Sequence, residues 1–132
     1  MSVVVDACTL VAALVDYGPD GEWAESIIAG ASLYAPEVAF VETTDTLRRF
    51  ERAKRITAAE ANAAHEDLME LKIEVYSFEP FAERIWELRH NVTSYDAWYV
   101  ALAEALRLPL ATLDERLVKT HGPACDFLTP RG

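Results

Sequence analysis

Short apolar runs punctuate the chain, and between them apolar residues recur at helical spacing. Residues 2–5 are a β-branched run without alternation, which predicts a fully buried strand ending at Asp6. Residues 7–15 then place Leu10, Ala13 and Leu14 at helical intervals. Asp16-Tyr17-Gly18-Pro19-Asp20-Gly21 is dense in breakers and predicts a loop before a helix over 22–29, stopped near Gly30. Residues 32–35 predict a second strand and 36–55 a longer helix carrying Val38, Val41 and Leu47. Thr57-Ala58-Ala59-Glu60 has the form of a capping box, so a new helix starts there, with Ala61, Ala64, His65 and Leu68 as its apolar stripe. A strand begins near Ile73, and helices follow over 80–89 and 94–107. Residues 110–113 form another apolar strand, 114–119 a helical turn and 126–128 a last strand. Strands alternating with helices specify an α/β fold with a mainly parallel sheet covered on both faces.

Length and composition narrow the reading. A chain of 132 residues with 52% apolar content builds one domain, 1–132, with a core that needs no staples. Twelve Lys plus Arg against twenty-two Asp plus Glu leave a net charge of -10. That excludes a broadly basic nucleic-acid coat and argues against binding anionic membranes, while leaving room for one local nucleic-acid site. Cys8 and Cys125 are too few for a disulfide framework or a four-cysteine zinc site, which suits a reducing, cytoplasmic setting. The start MSVVVDAC lacks a basic leader region, and no apolar run reaches the roughly 18 residues of a membrane span.

The acids fall at informative places. Asp6 closes one strand and Asp114 another, each at the start of a helix. Asp96 lies in the first turn of the helix from Ser94, and Glu42 about two turns into the helix that follows the second strand. In open α/β sheets, strand carboxyl ends and the helices they feed share the edge where ligands bind. Each acid also has an ordinary reading: Asp6 and Asp114 as N-caps, Asp96 as part of the box Thr93-Ser94-Tyr95-Asp96, Glu42 as a solvated helix residue. The mostly apolar neighbours of Asp6, Glu42 and Asp96 favour burial and convergence. Two carboxylates about 5 Å apart at an effective dielectric near 20 repel by roughly 3 kcal/mol. Helix N-termini offset about 0.3–1 kcal/mol each. The remainder calls for a proton or a cation, and an all-oxygen donor set suits Mg²⁺ or Mn²⁺. Metal-assisted phosphodiester hydrolysis is the matching chemistry.

The blocks Val3-Val4-Val5-Asp6-Ala7, Glu42-x-x-Asp45-x-Leu47-Arg48-Arg49, Thr93-Ser94-Tyr95-Asp96-Ala97-Trp98-Tyr99-Val100-Ala101-Leu102-Ala103 and Ala111-Thr112-Leu113-Asp114-Glu115-Arg116-Leu117 resemble the PIN-domain family, in order and along essentially the whole chain. Within that family they look most like the VapC-type toxins of bacterial toxin–antitoxin systems. The resemblance implies a three-layer α/β/α fold and a Mg²⁺- or Mn²⁺-dependent endoribonuclease. It also implies a homodimer, neutralised by a VapB-type antitoxin. Carried over by position, the family acids are Asp6, Glu42, Asp96 and Asp114. Asp6 and Asp96 are the firmest metal ligands, and Glu42 and Asp114 complete the shell or orient the attacking water. The alternative is a catalytically weak PIN domain that acts mainly by binding its antitoxin. A phosphatase of the haloacid-dehalogenase type needs a second Asp at position 8, where Cys8 stands, and no Gly-x-Gly-x-x-Gly follows the first strand to hold a dinucleotide.

Two departures from the family pattern have consequences. Cys8 stands where the family often has Ser, Thr or Asn; it reads as a small packing residue, with Thr9 available as a substitute hydroxyl. Asp45 stands where Asn is common, adding a fifth acid unless it pairs with Arg49 one turn on. Five of the twelve basic residues fall between Arg48 and Arg55, either serving the helix C-terminus and a Glu51–Arg55 pair or forming a phosphate-gripping lip. Arg116 is a further phosphate contact or a solvated surface residue. Trp98 and Tyr99 read as core or interface, His65 and His90 are not required as bases, and His121 reads as a surface residue. The small residues after Thr57 suit a close helix partner or packing within the domain.

Overall fold

The computed structural model describes residues 1–131. Five parallel strands form one sheet in the order β3-β2-β1-β4-β5. They are β1 (Ser2–Val5), β2 (Ser32–Pro36), β3 (Ile73–Tyr76), β4 (Leu110–Ala111) and β5 (Phe127–Leu128). The helices among the described residues are α1 (Ala7–Val15), α2 (Pro19–Gly30), α3 (Val38–Arg52), α4 (Ala58–Glu70), α5 (Ala82–Glu87), α6 (Ser94–Leu106) and α7 (Glu115–Lys119). This is the expected α/β/α arrangement, with every strand pair parallel. None of the described helices is long and apolar enough to cross a membrane.

β1 is central and its Val3, Val4 and Val5 are fully buried, as an unbroken apolar run requires of a strand covered on both faces. α6 packs along β1, β2 and β4, contributing the buried Val100, Leu102 and Ala103, and α5 packs on α6. α1 packs on α2, α3 and α4. The Thr57 capping box forms in full: its hydroxyl accepts from the Glu60 amide at 3.0 Å, and the Glu60 carboxylate accepts from the Thr57 amide at 2.9 Å. Ala61, Ala64 and Leu68 make the buried stripe of α4, whereas His65 is exposed.

Several boundaries correct the sequence expectations. The breaker-rich segment is a loop only as far as Gly18, because Pro19 occupies the first turn of α2, where its missing amide and fixed φ suit a helix start. Gly21 then lies inside that helix, where a Cβ would meet the Asp16 carbonyl oxygen at 1.8 Å. The α1–α2 turn therefore depends on glycine at that position. Pro36 belongs to β2, paired in register with Tyr76, and α3 starts at Val38. α3 ends at Arg52, not Arg55, because Lys54 turns to φ 60°. The Arg55 amide then reaches back to Phe50 O and the Lys54 amide to Glu51 O, closing a Schellman motif. The predicted 80–89 helix divides into a 3-10 turn (Glu79–Phe81) and α5. β4 stops at Ala111, which leaves Thr112 and Leu113 to approach the site as irregular chain.

Candidate active site

The strand order reverses between β1 and β4: from β1 the chain builds outward to β2 and β3, then returns to place β4 on the other side. In open parallel sheets such a switch point leaves a crevice at the strand carboxyl ends. A cleft of about 890 Å³ opens there, and Asp6, Glu42, Asp96 and Asp114 all line it. Four segments distant in the chain thus bring four acids to one mouth.

Asp6 is 6% exposed and follows β1 directly. It is the N-cap of α1, its Oδ1 accepting from the Thr9 amide at 3.0 Å, and the same oxygen accepts from the Cys8 thiol at 3.1 Å. Its Oδ2 accepts from the Thr112 hydroxyl. Capping and site roles therefore coexist in one carboxylate. Burial pushes its pKa up, and the Thr112, Cys8 and Thr9 hydrogen bonds oppose that rise. Asp114 caps α7, its Oδ1 accepting from the amides of Arg116 at 3.0 Å and Leu117 at 3.2 Å. Asp96, half-buried, forms only half of its expected box: its amide donates to the Thr93 hydroxyl at 3.2 Å, and its carboxyl lines the cleft. Burial, then the charges of Asp114 and Asp6, raise its pKa. Glu42, half-buried in the second turn of α3, accepts from the Tyr99 hydroxyl at 2.5 Å. Burial raises its pKa first, and the Asp96 and Asp6 charges add to that.

The two departures from the family pattern resolve in different ways. Cys8 is exposed and not a packing residue. Its sulfur faces the acidic mouth, where desolvation and then the Asp6 charge hold the thiol protonated. Thr9 is fully buried; its Oγ1 donates to the Ala111 carbonyl at 3.2 Å, and its side chain also helps to lower the Asp6 pKa. Asp45 does not add a free negative charge: it pairs with Arg48 at 2.8 Å and Arg49 at 3.5 Å. Among the described residues Glu51 makes no ion pair with Arg55, whose guanidinium instead lies 3.9 Å from the Phe50 ring centroid. Arg49 and Arg55 line the cleft beside the acids, with Phe50, Ile56 and Val15 as apolar wall. His65, His90 and His121 are all exposed, and Trp98 packs edge-on to Phe78.

Two site residues escaped the sequence reading. Thr112 is buried with its hydroxyl between Asp6 and Asp114, and Tyr99 is tied to Glu42. A hydroxyl two residues before an acid at a strand end, and a tyrosine one helical turn beyond Asp96, were the available signals.

The donor set fits a divalent cation bound partly through water. Among the described residues no three His, Cys, Asp or Glu side chains stand ready to enclose an ion on their own. Mg²⁺, however, binds through one or two carboxylates and keeps several waters. A carboxylate has about four acceptor positions. Asp6 uses three on Thr9, Cys8 and Thr112, leaving one directed from Oδ2. The burial of Asp6, and the charges of neighbouring acids on Glu42 and Asp96, are what a nearby cation would offset.

Comparison with known proteins agrees with this geometry. Residues 3–123 match the PIN domain family. Ribonuclease VapC9 of Mycobacterium tuberculosis is 40% identical over 130 residues, covering 98% of this chain and 99% of its own. The crystal structure of Mycobacterium tuberculosis VapC20, described as a sarcin-ricin loop cleaving toxin, superposes with a TM-score of 0.68 at 19% identity. It covers 89% of this chain and 94% of its own. VapBC2 from Rickettsia felis, bound to a DNA fragment from its promoter, superposes at 0.65 and 14% identity, covering 98% of each chain. These two structures share the fold. The chain belongs to the PIN-domain family and, within it, is similar to the VapC ribonucleases along nearly its whole length.

Proposed function

We propose that this chain is a Mg²⁺- or Mn²⁺-dependent endoribonuclease toxin, working as one domain. The observation that carries the reading is the convergence of Asp6, Glu42, Asp96 and Asp114 on one cleft, with Asp6 raised above ordinary carboxylate values by burial, and Glu42 and Asp96 raised by burial and by the charges of neighbouring acids. Asp6, Asp96 and Asp114 would hold the ion. Once bound, a divalent ion supplies an activated water and stabilises the leaving oxygen. The chain's own part is orientation. Thr112, Cys8 and Thr9 fix the Asp6 carboxylate, and Tyr99 fixes Glu42, which sits across the cleft as the acceptor that aligns a water. Arg55, in no ion pair among the described residues, offers positive charge to phosphates at the cleft rim of a molecule whose net charge is -10. VapC20's described target supports a structured RNA, of the ribosomal or transfer class, as substrate.

The VapBC2 assembly supports a VapB-type antitoxin partner, and the resemblance a homodimer. The apolar wall of Val11, Val15, Val38, Val41, Phe50 and Ile56 beside the acids gives an antitoxin segment a surface that covers the site.

The test is cleavage of purified RNA with Mg²⁺ or Mn²⁺, with chelator, and by Asp6→Asn and Asp96→Asn. Metal-dependent cutting by wild type that falls at least a hundredfold in both variants is expected. Equal cutting by all three would refute the assignment. Mn²⁺ binding without cleavage of any RNA class would favour the antitoxin-binding alternative.

A further inference from the structure

Thr112 is 0% exposed and sits where irregular chain leaves β4. Its oxygen accepts from the Asp114 amide at 3.0 Å. An amide can only donate, so the single hydroxyl hydrogen is left for another acceptor. It goes to Asp6 Oδ2. One buried hydroxyl thus joins the carboxylate at the end of β1 to the backbone of the acid that follows β4. The Thr112 backbone is itself pinned, its amide donating to Leu128 O at 3.0 Å. The other donors on Asp6 do not duplicate this link. The Thr9 amide and the Cys8 thiol both address Oδ1. A thiol is also a weak donor.

We infer that Thr112 is a positioning residue: it sets the rotation of the Asp6 carboxylate so that the remaining Oδ2 position faces Asp96 and Asp114, and it holds Asp114 in register with Asp6. The inference rests on the metal-dependent reading of the cleft. Groups that hydrogen-bond to metal-binding carboxylates change metal affinity by about 10–100-fold when removed. Thr112→Val keeps the shape and deletes the hydroxyl, leaving Oδ2 and the Asp114 amide unpartnered in a buried site. Thr112→Ser keeps the hydroxyl and deletes only a methyl.

Three measurements test this. Calorimetric titration of metal-free protein with Mn²⁺ is expected to show Thr112→Val at least tenfold weaker than wild type and Thr112→Ser within about threefold of it. Amide exchange of the metal-free proteins is expected to show Asp114 N–H protection lost in Thr112→Val and retained in Thr112→Ser, with the Leu102 and Val100 amides of α6 unchanged as the fold control. RNA cleavage at saturating Mn²⁺ is expected to recover part of the Thr112→Val deficit. Thr112→Val binding Mn²⁺ as wild type does, or Thr112→Ser failing as badly as Thr112→Val, overturns the inference while leaving the nuclease reading intact. A wild type that takes up no Mn²⁺ overturns both.

Discussion

The Tyr99 hydroxyl donates to Glu42 Oε1 at 2.5 Å, joining α6 to α3 across 57 positions of sequence. Tyr99 is 2% exposed, and its other polar surroundings are acidic: burial first, then Glu42 and Asp6, keep the phenol protonated. Glu42 therefore has a fixed donor on one oxygen and presents the other to the cleft. Tyr99→Phe should keep the fold, since only one oxygen is lost, at a stability cost of about 1 kcal/mol. It should lower kcat for RNA cleavage about tenfold while KM stays within twofold, because the lost contact orients an acid and does not bind RNA. Steady-state kinetics with a fluorogenic RNA check this, and an unchanged kcat would show that Glu42 needs no such support.

How far the sequence spoke for the structure differs by level. Val3–Val5 and the Thr57–Glu60 box announced their elements because burial on both faces and reciprocal capping leave local signatures. Pro36 and Pro19 misled because proline tolerates both a strand end and a helix start, and only the register with Tyr76 decides the first. The acids were legible as a set, since Asp6, Asp96 and Asp114 sit at element ends and Glu42 follows an apolar approach into α3. Their supporting groups were not. That the Thr112 hydroxyl reaches Asp6 depends on where β4 stops, after two residues. The place of Cys8 beside the acids follows from the first turn of α1, which opens onto the cleft.

Charge at the mouth destabilises the metal-free protein in a definite pH direction. Asp96 takes up its proton more readily when folded than its ordinary value of 3.8 allows, because of burial and the Asp114 and Asp6 charges. The folded state then binds more protons than the unfolded chain above that value, so the Asp96 contribution falls as pH rises through the raised pKa. Asp96→Asn should melt about 2–5 °C above wild type at pH 7 without metal, and the gap should narrow at pH 4. Excess Mn²⁺ should raise the wild-type melting temperature and leave Asp96→Asn nearly unmoved. Differential scanning fluorimetry at the two pH values decides, and a variant less stable than wild type at pH 7 would contradict the electrostatic account.

Arg55 lies over the Phe50 ring at the cleft rim, outside any ion pair among the described residues. Arg48 and Arg49 are instead committed to Asp45. Arg55 is thus the guanidinium most available to an RNA phosphate. Arg55→Ala should raise KM about three- to tenfold with kcat nearly constant, and should make the salt dependence of log KM shallower by about one contact. Arg48→Ala should change neither by more than about twofold. An equal effect of the two substitutions would place the phosphate contact elsewhere.

The C-terminal segment is held by a different electrostatic device. Arg84 meets Glu104 with both a 2.7 Å Nε–Oε1 and a 3.0 Å Nη2–Oε2 hydrogen bond, and its Nη2 also donates to Gly122 O at 2.9 Å. The Ala124 amide donates to Glu104 Oε2 at 2.7 Å. One fork therefore ties α5 to α6 and to the loop that leads into β5. Burial tends to raise the Glu104 pKa, but the Arg84 and Ala124 hydrogen bonds prevail and lower it. Its stabilisation is complete above 4.5, the ordinary value, and is lost as pH falls through the lowered one. This is opposite in sign to Asp96. Arg84→Ala leaves a carboxylate that is only 17% exposed without its cation and should cost about 2 kcal/mol at pH 7. Glu104→Gln should lose less, since the amide oxygen can still accept one of the bonds. Urea denaturation at pH 7 and pH 4 separates the cases: the Arg84→Ala deficit should shrink toward pH 4, where wild type begins to lose the same interaction. A deficit that persists undiminished below the Glu104 titration would assign it to lost packing of the arginine stem.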